Sequence, residues 1–596
     1  MNDKFDSIDI MTARHSLSHV LAAAVKKACP ECKLGIGPAI DEGFYYDFLL
    51  PEGFTFSPEI LQQIANEMKT IIKQEYGFER QNIGLSEARE RFATEPFKLE
   101  LINKLEHEGE TTVGTYQSGE FVDLCSGPHV NTTKDLKSVA WKLDRVSGAY
   151  WQGSEKNPML QRIYALAFAT KGELKDYIAR REEAIKRDHR KLNEDLELFT
   201  FSELIGKGLP ILLPNGATLR RVLERFIVDE ELRRGYQHVY TPPMGRRKLY
   251  EVSGHWEHYQ DAMYPPMEVS DDELVLRPMT CPHHFMIYQD KPRSYRDLPM
   301  RLAEISPQFR KEKSGELTGL IRVMMFTLAD AHIFCTPAQL GDEFRAVVEL
   351  VEYAMQRLGI SEVISYRASL RDDAKDKYVD NPQMWQQGEA TLIRILDDMG
   401  LKYVKSPGDA AFYGPKLDVQ MRNTLGKEET VFTVQIDFCL PERFELTYVD
   451  DHGQKQTPVV IHRASIGCLE RTIAFLTEYY AGAFPLWLAP VQAKILTITD
   501  QQIPYAKELE QRLLQTGIRA QNDSRNETIG KKIREGRLQR VPYLLILGEQ
   551  EMEARTVAIR NRDSGNQQSV SFGQCIERIA QEHRSYSLIL EAEKIG

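Results

Sequence analysis

The sequence predicts a multidomain protein of mixed α+β and α/β class, and three features of the chain support this. Its 596 residues exceed what one hydrophobic core holds, since domains usually contain about 100–200 residues. Helical and strand-like runs alternate irregularly through much of the chain. The last block reads strand, helix, strand, which is typical of a small α/β domain with a parallel-rich sheet.

Four blocks follow one another along the chain. Residues 1–170 mix helices with strand-like runs such as GFYYDFLL, which indicates an α+β domain. Residues 171–199 are rich in charge and free of proline, with apolar residues at helical spacing, so we expect one long linking helix. Turns containing Gly and Pro open the third domain, residues 200–490, and residues 491–596 form the C-terminal α/β domain.

Composition predicts where the protein is located, but it does not decide whether the protein binds nucleic acid. No run of about 18 apolar residues occurs, so the sequence predicts no membrane span, and the N-terminus does not resemble a signal peptide. The eight cysteines are too scattered for a disulfide framework, which predicts a reducing cytoplasm. The net charge of −11 does not exclude nucleic acid, because a local basic patch can exist on an acidic chain.

Two short arginine-containing runs lie in the third block, FRKE at 309–312 and GCLER at 467–471. A single arginine is usually a solvated surface charge. In this order, however, the two runs resemble motifs 2 and 3 of class II aminoacyl-tRNA synthetases. RRGYQHVYTPP (233–243), with Pro242, resembles motif 1. The resemblance implies a central antiparallel sheet flanked by helices, and a homodimer formed through motif 1.

The chemistry of amino acid activation explains why arginines are needed. Negative charge develops on the α-phosphate of ATP as pyrophosphate leaves, and fixed guanidinium groups stabilise it better than mobile ammonium groups. By resemblance, Arg310 binds the α-phosphate and the amino acid carboxylate, while Arg322 and Arg471 hold the outer phosphates. Mg²⁺ is expected to bridge the phosphates of ATP.

Three candidate metal ligands lie far apart in sequence: Cys281 in RPMTCPHH, His332 in DAHIFC and His462 in VVIHRA. By residue type alone they also fit a buried cysteine and two hydrogen-bonded core histidines. Their surrounding segments resemble the zinc-ligand segments of threonyl-tRNA synthetases, which implies one Zn²⁺ per subunit. One Cys and two His leave a fourth tetrahedral position open, the pattern of a functional rather than a structural zinc site.

An open zinc site explains how L-threonine would be selected, because its amino group and β-hydroxyl can both bind the metal. Valine lacks the hydroxyl and would leave polar groups of the site unpaired. Serine lacks only a methyl group, which discriminates by roughly 1–3 kcal/mol and is too little for protein synthesis. A second, hydrolytic site is therefore expected.

The resemblance also implies further contacts to threonine. Asp330 is expected to bond its amino or hydroxyl group, and Tyr413 and Lys416, in FYGPKLD, to line the amino acid pocket. Gln435, in TVQIDF, lies in a matching segment. Each of these residues is otherwise an ordinary satisfied core or rim polar group.

The N-terminal block carries His15 and His19 at i and i+4, on one face of a helix, and Cys125 and His129 downstream. By composition the four also fit a closed zinc site, whereas Ser16 excludes the HExxH metalloprotease motif. The sequence segments around them resemble the editing domain of threonyl-tRNA synthetases, which hydrolyses mischarged seryl-tRNA and is thought to work without metal. The resemblance assigns six editing residues: His15, His19, Lys98, Asp123, Cys125 and His129.

The C-terminal block resembles the anticodon-binding domain shared by several class II synthetases. Asn526, Arg540, Glu551 and Arg560 match positions that contact anticodon bases of tRNA(Thr). Arginine and asparagine suit splayed single-stranded bases through stacking and edge hydrogen bonds. As isolated residues they also fit ordinary surface polar groups.

The sequence departs from the family in three places. Because the sequence starts at the editing block, we expect the ubiquitin-like N-terminal domain common in bacterial members to be missing, and its loss to weaken tRNA contacts or folding support. The usual RGFTQDDAHIF reads MMFTLADAHIF, and Thr430 stands where a glutamine near the adenosine site is usual. The changed residues of that strand are Met324, Met325, Leu328 and Ala329, with Leu328 replacing a glutamine that helps hold the amino acid carboxylate.

Three alternatives compete with a threonine-specific ligase. A prolyl-type class II enzyme conflicts with the metal triad, and a free-standing trans-editing protein conflicts with the intact central block. A non-catalytic RNA-binding paralogue would be expected to lose Arg310, Arg471 and the zinc ligands, and all of them are present. We therefore expect an active enzyme with an altered pocket floor.

Overall fold

The computed structural model describes residues 9–372, 374 and 378–585. The chain divides into two compact units, the first ending at Arg181 and the second beginning at Glu182. No helix in these described ranges is long and apolar enough to cross a membrane.

The first unit is an α+β fold with two antiparallel sheets. One sheet has the strand order β1-β3-β8-β7, with β2 added beside β3, and the other has the order β4-β5-β6. Its helices are α1 (Ile10–Ala28), α2 (Pro58–Lys73), α3 (Leu85–Arg91), α4 (Pro96–His107) and the start of α5 (Lys171–Arg187). Its strands are β1 (Lys33–Leu34), β2 (Ala39–Ile40), β3 (Gly43–Leu49), β4 (Glu79–Gly84), β5 (Thr112–Ser118), β6 (Phe121–Leu124), β7 (Ala140–Tyr150) and β8 (Met159–Phe168).

Helix α1 is the centre of this unit because it is buried on almost every side. Asp9 caps its first turn by accepting from the backbone N–H groups of Met11 and Thr12. Its alanines, leucines and valines then pack against β3 and α2 in one core. A helix buried on most faces can hold polar side chains rigidly away from water, and α1 carries His15 and His19.

The predicted single helix over 171–199 is wrong. The structure has two helices, α5 and α6 (His189–Leu196), separated at Asp188. The side chain of Asp188 accepts from the backbone N–H of Arg190 and so begins a new helix instead of continuing the old one. Composition gave no signal for this break, since an aspartate inside a charged run looks like a solvated residue.

The central part of the second unit is built on an eight-stranded sheet with the order β11-β15-β16-β23-β20-β19-β17-β18. The pairings are antiparallel except at the two edges, β11 with β15 and β17 with β18. This confirms the predicted antiparallel sheet. Its helices are α6, α7 (Pro214–Arg233), α8 (Arg247–Val252), α9 (His255–His258), α10 (Cys281–Gln289), α11 (Leu340–Leu358), α12 (Pro382–Asp398), α13 (Leu440–Arg443) and α14 (Leu469–Tyr479).

The strands of this part alternate long members of the main sheet with short ribbons. They are β9 (Phe199–Thr200), β10 (Ile211–Leu212), β11 (Gln237–His238), β12 (Met244–Arg246), β13 (Met267–Val269), β14 (Asp272–Leu276), β15 (Met300–Phe309), β16 (Met325–Cys335), β17 (Ile364–Leu370), β18 (Tyr403–Pro407), β19 (Lys416–Arg422), β20 (Glu428–Asp437), β21 (Tyr448–Val449), β22 (Lys455–Gln456) and β23 (Val459–Cys468). The main core packs α7, α11 and α14 against β16, β20 and β23. Side chains on those strands alternate between this core and the opposite face.

The C-terminal part has a five-stranded sheet with the order β25-β24-β26-β27-β28. Strands β25, β24 and β26 are parallel, whereas β27 and β28 are antiparallel, so the sheet is mixed and less parallel than the sequence predicted. Its strands are β24 (Ala493–Thr497), β25 (Ala520–Asp523), β26 (Tyr543–Leu547), β27 (Thr556–Asn561) and β28 (Gln567–Ser571). Its helices are α15 (Ile503–Gln515), α16 (Ile529–Leu538), α17 (Glu549–Ala554) and α18 (Phe572–Ser585).

The structure contains a disulfide that the scattered cysteines of the sequence did not predict. Cys29 and Cys32 form a disulfide just beyond the end of α1. The other six cysteines carry free thiols, most of them buried.

Candidate functional site

A cavity of about 440 Å³ opens on one face of the eight-stranded sheet. Its walls come from the start of α10, from β16, β20 and β23, from the loop between β15 and β16, and from the start of α14. The three candidate metal ligands and the three candidate phosphate-binding arginines all line it. Residues that lie far apart in the sequence thus share one cavity.

Strand register brings the metal-type side chains together. His332 on β16 lies directly opposite His462 on β23 in an antiparallel pair. Cys281 is the first residue of α10 and reaches the same point. The ligand atoms of all three lie within 4.8 Å of one another, and all three residues are buried. This donor set and spacing fit one tetrahedral metal ion with an open position.

Each histidine of the triad is oriented by a second polar group. His462 Nε2 lies 2.8 Å from the Asp437 carboxylate. His332 Nδ1 lies 2.8 Å from Nδ1 of His284, whose Nε2 lies 3.3 Å from the carboxylate of Glu304. Metal-ligating histidines commonly use the other ring nitrogen in this way, which fixes the ring and its tautomer.

Burial controls the charge of Cys281 and His332. Burial, reinforced by the carboxylates of Asp330 and Asp437, raises the pKa of the Cys281 thiol well above its usual value. Burial, followed by the nearby His462 and His284, lowers the pKa of His332 well below 6.5. The imidazole is therefore neutral, the form that binds metal, and a bound cation would have to displace the thiol proton.

The arginines occupy the other end of the cavity. Arg310 directly follows β15, and its buried Nε has no hydrogen-bond partner among the described residues. Arg322 pairs with Glu312 and Glu316 in the loop between β15 and β16. Arg471, in the first turn of α14, donates to the Ile321 carbonyl at 3.2 Å.

Three of the four candidate threonine contacts face the cavity. Asp330, Tyr413 and Gln435 line it, and the Tyr413 hydroxyl donates to the Gln435 side chain. Burial raises the pKa of Asp330. Lys416 lies opposite Gln435 in the sheet but is not part of the lining, and its Nζ instead lies 2.8 Å from the Asp418 carboxylate.

The unusual residues of the sequence divide into two groups. Leu328 and Thr430 line the cavity, and Thr430 accepts a hydrogen bond from the Gln420 amide at 2.7 Å. Ala329 belongs to the core behind the sheet, whereas Met324 and Met325 lie outside the lining. Of the five unusual residues, two therefore line the cavity.

A second cluster lies in the first unit, on α1 and the loop after β6. The ligand-type atoms of His15, His19, Cys125 and His129 lie within 4.8 Å of one another. Cys125 Sγ lies 3.3 Å from Nε2 of His15 and 3.3 Å from Nε2 of His129. By distance alone the four side chains would also fit a metal ion.

Charge in this cluster is concentrated on one ion pair. Lys98 on α4 lies 2.6 Å from one oxygen of Asp123, and Tyr46 on β3 donates to the other at 2.6 Å. Burial, with His19 and His15 nearby, lowers the pKa of His129 to about 2. The imidazole of His129 is therefore neutral beside a buried ammonium–carboxylate pair.

The four candidate anticodon residues lie at two ends of the C-terminal sheet. Asn526 and Glu551 follow the carboxyl ends of the parallel strands β25 and β26. Arg540 precedes β26, and Arg560 on β27 pairs with Leu544 near the start of β26. The Glu551 carboxylate also accepts the Gly548 N–H and caps α17.

Sequence reasoning missed several side chains that complete these sites. His284 lies one helical turn after Cys281, and Asp437 lies two residues after Gln435 on the same face of β20, so both spacings carried a signal. Tyr46 and Glu304 lay within strand-like runs and carried none.

Comparisons with known proteins agree with this geometry. Residues 266–480 match the tRNA synthetase class II core domain (G, H, P, S and T). Residues 488–582 match an anticodon binding domain, and residues 113–164 match the threonyl and alanyl tRNA synthetase second additional domain. A threonine–tRNA ligase of Clostridium botulinum is 49% identical over 582 residues, covering 97% of this chain and 90% of the relative. The chain belongs to the threonyl-tRNA synthetase family.

One further relative and two solved structures range from 48% to 15% identity with this chain. The threonine–tRNA ligase of Oceanobacillus iheyensis is 48% identical over 573 residues, covering 96% of this chain and 88% of that protein. The solved RNA binding domain of threonyl-tRNA synthetase from Cryptosporidium parvum is 36% identical with a TM-score of 0.63, covering 66% of this chain and 98% of that chain. A prolyl-tRNA synthetase from the same organism, 15% identical with a TM-score of 0.52 over 67% of this chain and 75% of its own, shares the fold alone.

The thiol of Cys125 provides a test of the first-unit geometry. Burial raises its pKa to about 11, so about one thiol in three thousand is ionised at pH 7.5. Alkylation by iodoacetamide, followed by peptide mass spectrometry with a chelator present, should therefore be slow at pH 7.5 and accelerate about tenfold per pH unit up to pH 10. N-acetylcysteine in the same tube is the control, and a rate that levels off near pH 8.5 would contradict the buried placement.

Proposed function

We propose that this chain joins L-threonine to tRNA(Thr) with ATP, through threonyl-adenylate, and hydrolyses mischarged seryl-tRNA(Thr). The observation that carries the proposal is the shared cavity, where a Cys-His-His triad and three arginines face the same space. An amino acid held at the triad would present its carboxylate toward the arginine end, where ATP would bind. Family membership supports the same function.

We assign threonine recognition to the triad end of the cavity. A Zn²⁺ held by Cys281, His332 and His462, one per subunit, would bind the amino group and the β-hydroxyl of threonine. Asp330 lies two residues before His332 on β16 and would accept a hydrogen bond from one of these groups. Tyr413 and Gln435 close the pocket beside it. A valine side chain would place a methyl group against these polar partners and leave them unpaired.

Adenylate formation is assigned to the arginine end. Arg310 is packed between the rings of Tyr259 and Phe326, which fixes the direction of its guanidinium group. A guanidinium held in place needs little reorganisation as charge develops on the α-phosphate. Arg322 and Arg471 would contact the outer phosphates of ATP, which binds with Mg²⁺.

Hydrolytic editing is assigned to the first unit. Because burial lowers the pKa of its three imidazoles and raises the pKa of its thiol, all four groups are neutral and can accept hydrogen bonds from, or donate them to, a water molecule and a seryl ester. The Lys98 ammonium, held by Asp123, is the fixed positive charge that would stabilise a developing oxyanion. Lys98 and Asp123 are both buried, so the charge acts in a medium where it is weakly screened.

Assembly and RNA contacts complete the proposal. We expect a homodimer through the segment around α7, since Leu232 at its end and Tyr240 after β11 are exposed apolar side chains. Asn526, Arg540, Glu551 and Arg560 are proposed to contact the anticodon loop, from both ends of the C-terminal sheet. The reducing cytoplasm remains the proposed location, because six of the eight cysteines carry free thiols and only Cys29 and Cys32 are joined in the part of the chain that the structure describes.

Cys281→Ser tests the threonine pocket. A serine hydroxyl is a poor zinc ligand, so purified protein should lose its zinc, and threonine-dependent pyrophosphate exchange should fall by at least about a hundredfold. Cys335→Ser is the matched control, because Cys335 follows His332 on the same strand but points its thiol at the Val459 carbonyl. Retained activity without zinc in the Cys281 variant would overturn the pocket assignment.

The double variant His15→Ala with Cys125→Ala tests the editing site. Both substitutions lie in the first unit, whereas threonylation is assigned to the second, so threonylation should be unchanged while seryl-tRNA(Thr) accumulates. His107→Ala, an exposed histidine at the end of α4, is the control. Clearance of seryl-tRNA(Thr) at the normal rate by the double variant would remove the editing assignment.

A further inference from the structure

A buried histidine outside the sites described above holds the loop that carries Arg322. His189, the first residue of α6, has a side chain that is 1% exposed. Its Nδ1 lies 2.7 Å from the Glu478 carboxylate, and its Nε2 accepts the backbone N–H of Leu320 at 3.1 Å. Because Nε2 accepts this hydrogen bond, the ring proton is assigned to Nδ1, directed at Glu478.

The backbone at this point is shaped to receive the imidazole. Thr318 and Arg322 are bridged by backbone hydrogen bonds around a tight turn. Gly319, in that turn, has φ +47°, and a Cβ there would lie 2.1 Å from His189 Nε2. A side chain at position 319 would therefore displace the imidazole, so the turn and the histidine fit only as a pair.

Helix α14 holds this turn at two consecutive residues, Leu320 and Ile321. Arg471 and Glu478 lie at i and i+7 on one face of the helix. Arg471 donates to the Ile321 carbonyl, while Glu478 reaches the Leu320 N–H through His189. Two side chains from one helix thus fix a single stretch of loop backbone, and Arg322 is the next residue along it.

Asp188, His189 and Glu478 also have ligand-type atoms within 4.8 Å of one another, which raises the alternative of a metal site. The hydrogen bonds decide against it. Both imidazole nitrogens are already engaged, one by Leu320 and one by Glu478, and the Asp188 carboxylate is held by Arg190. No lone pair of the ring is left for a cation.

We propose that His189 is a positioning residue for the nucleotide: with Glu478 it fixes the 318–322 turn and thereby the place of the Arg322 guanidinium. This inference rests on the proposed function only in assigning Arg322 to the phosphates of ATP. Loss of the imidazole frees the turn and weakens ATP binding, while the triad end of the cavity, built on α10, β16 and β23, keeps its affinity for threonine.

The experiment separates positioning from general stability. We would measure the Kd of a non-hydrolysable ATP analogue with Mg²⁺ by equilibrium dialysis, and the KM values for ATP and for threonine by pyrophosphate exchange, on the full zinc-loaded chain. His189→Asn keeps a donor toward Glu478 but cannot reach Leu320, and should raise the Kd and the KM for ATP about tenfold, the loss expected for one ordinary hydrogen bond. The KM for threonine should stay within about twofold.

Conservative and neighbouring variants complete the design. His189→Gln places an amide oxygen near the position of Nε2, so it should recover part of the ATP affinity. Glu478→Ala removes the partner without emptying the core, and should shift ATP in the same direction if His189→Asn does not fold. Asp188→Asn, a change in the adjacent carboxylate, should leave both KM values unchanged.

Equal rises in the two KM values, or a lower active fraction with unchanged ATP affinity, would overturn the positioning role and leave His189 a purely structural residue. The analogue Kd is independent of turnover. A wild-type chain that binds the analogue but exchanges no pyrophosphate with threonine would therefore contradict the proposed function without contradicting this inference.

Discussion

The antiparallel register between β16 and β23 is the constraint on which the rest of the site depends. It places His332 opposite His462, and a slip of either strand by one residue would turn its imidazole to the other face of the sheet, away from its partner. Strand β16 also carries Asp330 in the pocket. Strand β23 ends at Cys468, and helix α14, which carries Arg471, begins directly after it. Register thus sets the distance between the amino acid end and the phosphate end of the cavity.

Strand register places the buried polar groups, but each of them also needs a hydrogen-bond partner to be stable. Burial by itself raises the pKa of Glu304, yet hydrogen bonds from His284 and Thr241 and the charge of Arg277 lower it to about 2. Glu304 is therefore a carboxylate, and it orients His284 against His332. The fully buried Asp437 orients His462, while its other oxygen accepts the N–H groups of Cys439 and Leu440. These groups make the triad rigid before any ligand binds.

Much of this was predictable from sequence where short motifs carried chemistry. The FRKE and GCLER runs predicted the class II core, the segments around Cys281, His332 and His462 predicted the family, and the comparisons confirm both. The placement of these residues in one cavity could not be derived from spacing, because it depends on strand pairing between distant segments. Asp188 broke the predicted linking helix because a cap is decided by one side-chain hydrogen bond, which composition does not show.

Amino-acid-dependent pyrophosphate exchange by the purified wild-type chain, with bound metal assayed on the same sample, tests the central claim most directly. We predict activation of threonine, weaker activation of serine by roughly 10- to 200-fold, none of valine, and about one zinc per chain. Activation of valine at a rate near that of threonine would contradict a metal-centred pocket. No exchange with any amino acid would mean that Leu328 and Thr430 have closed the site, and that the chain is a non-catalytic relative of the ligases it resembles.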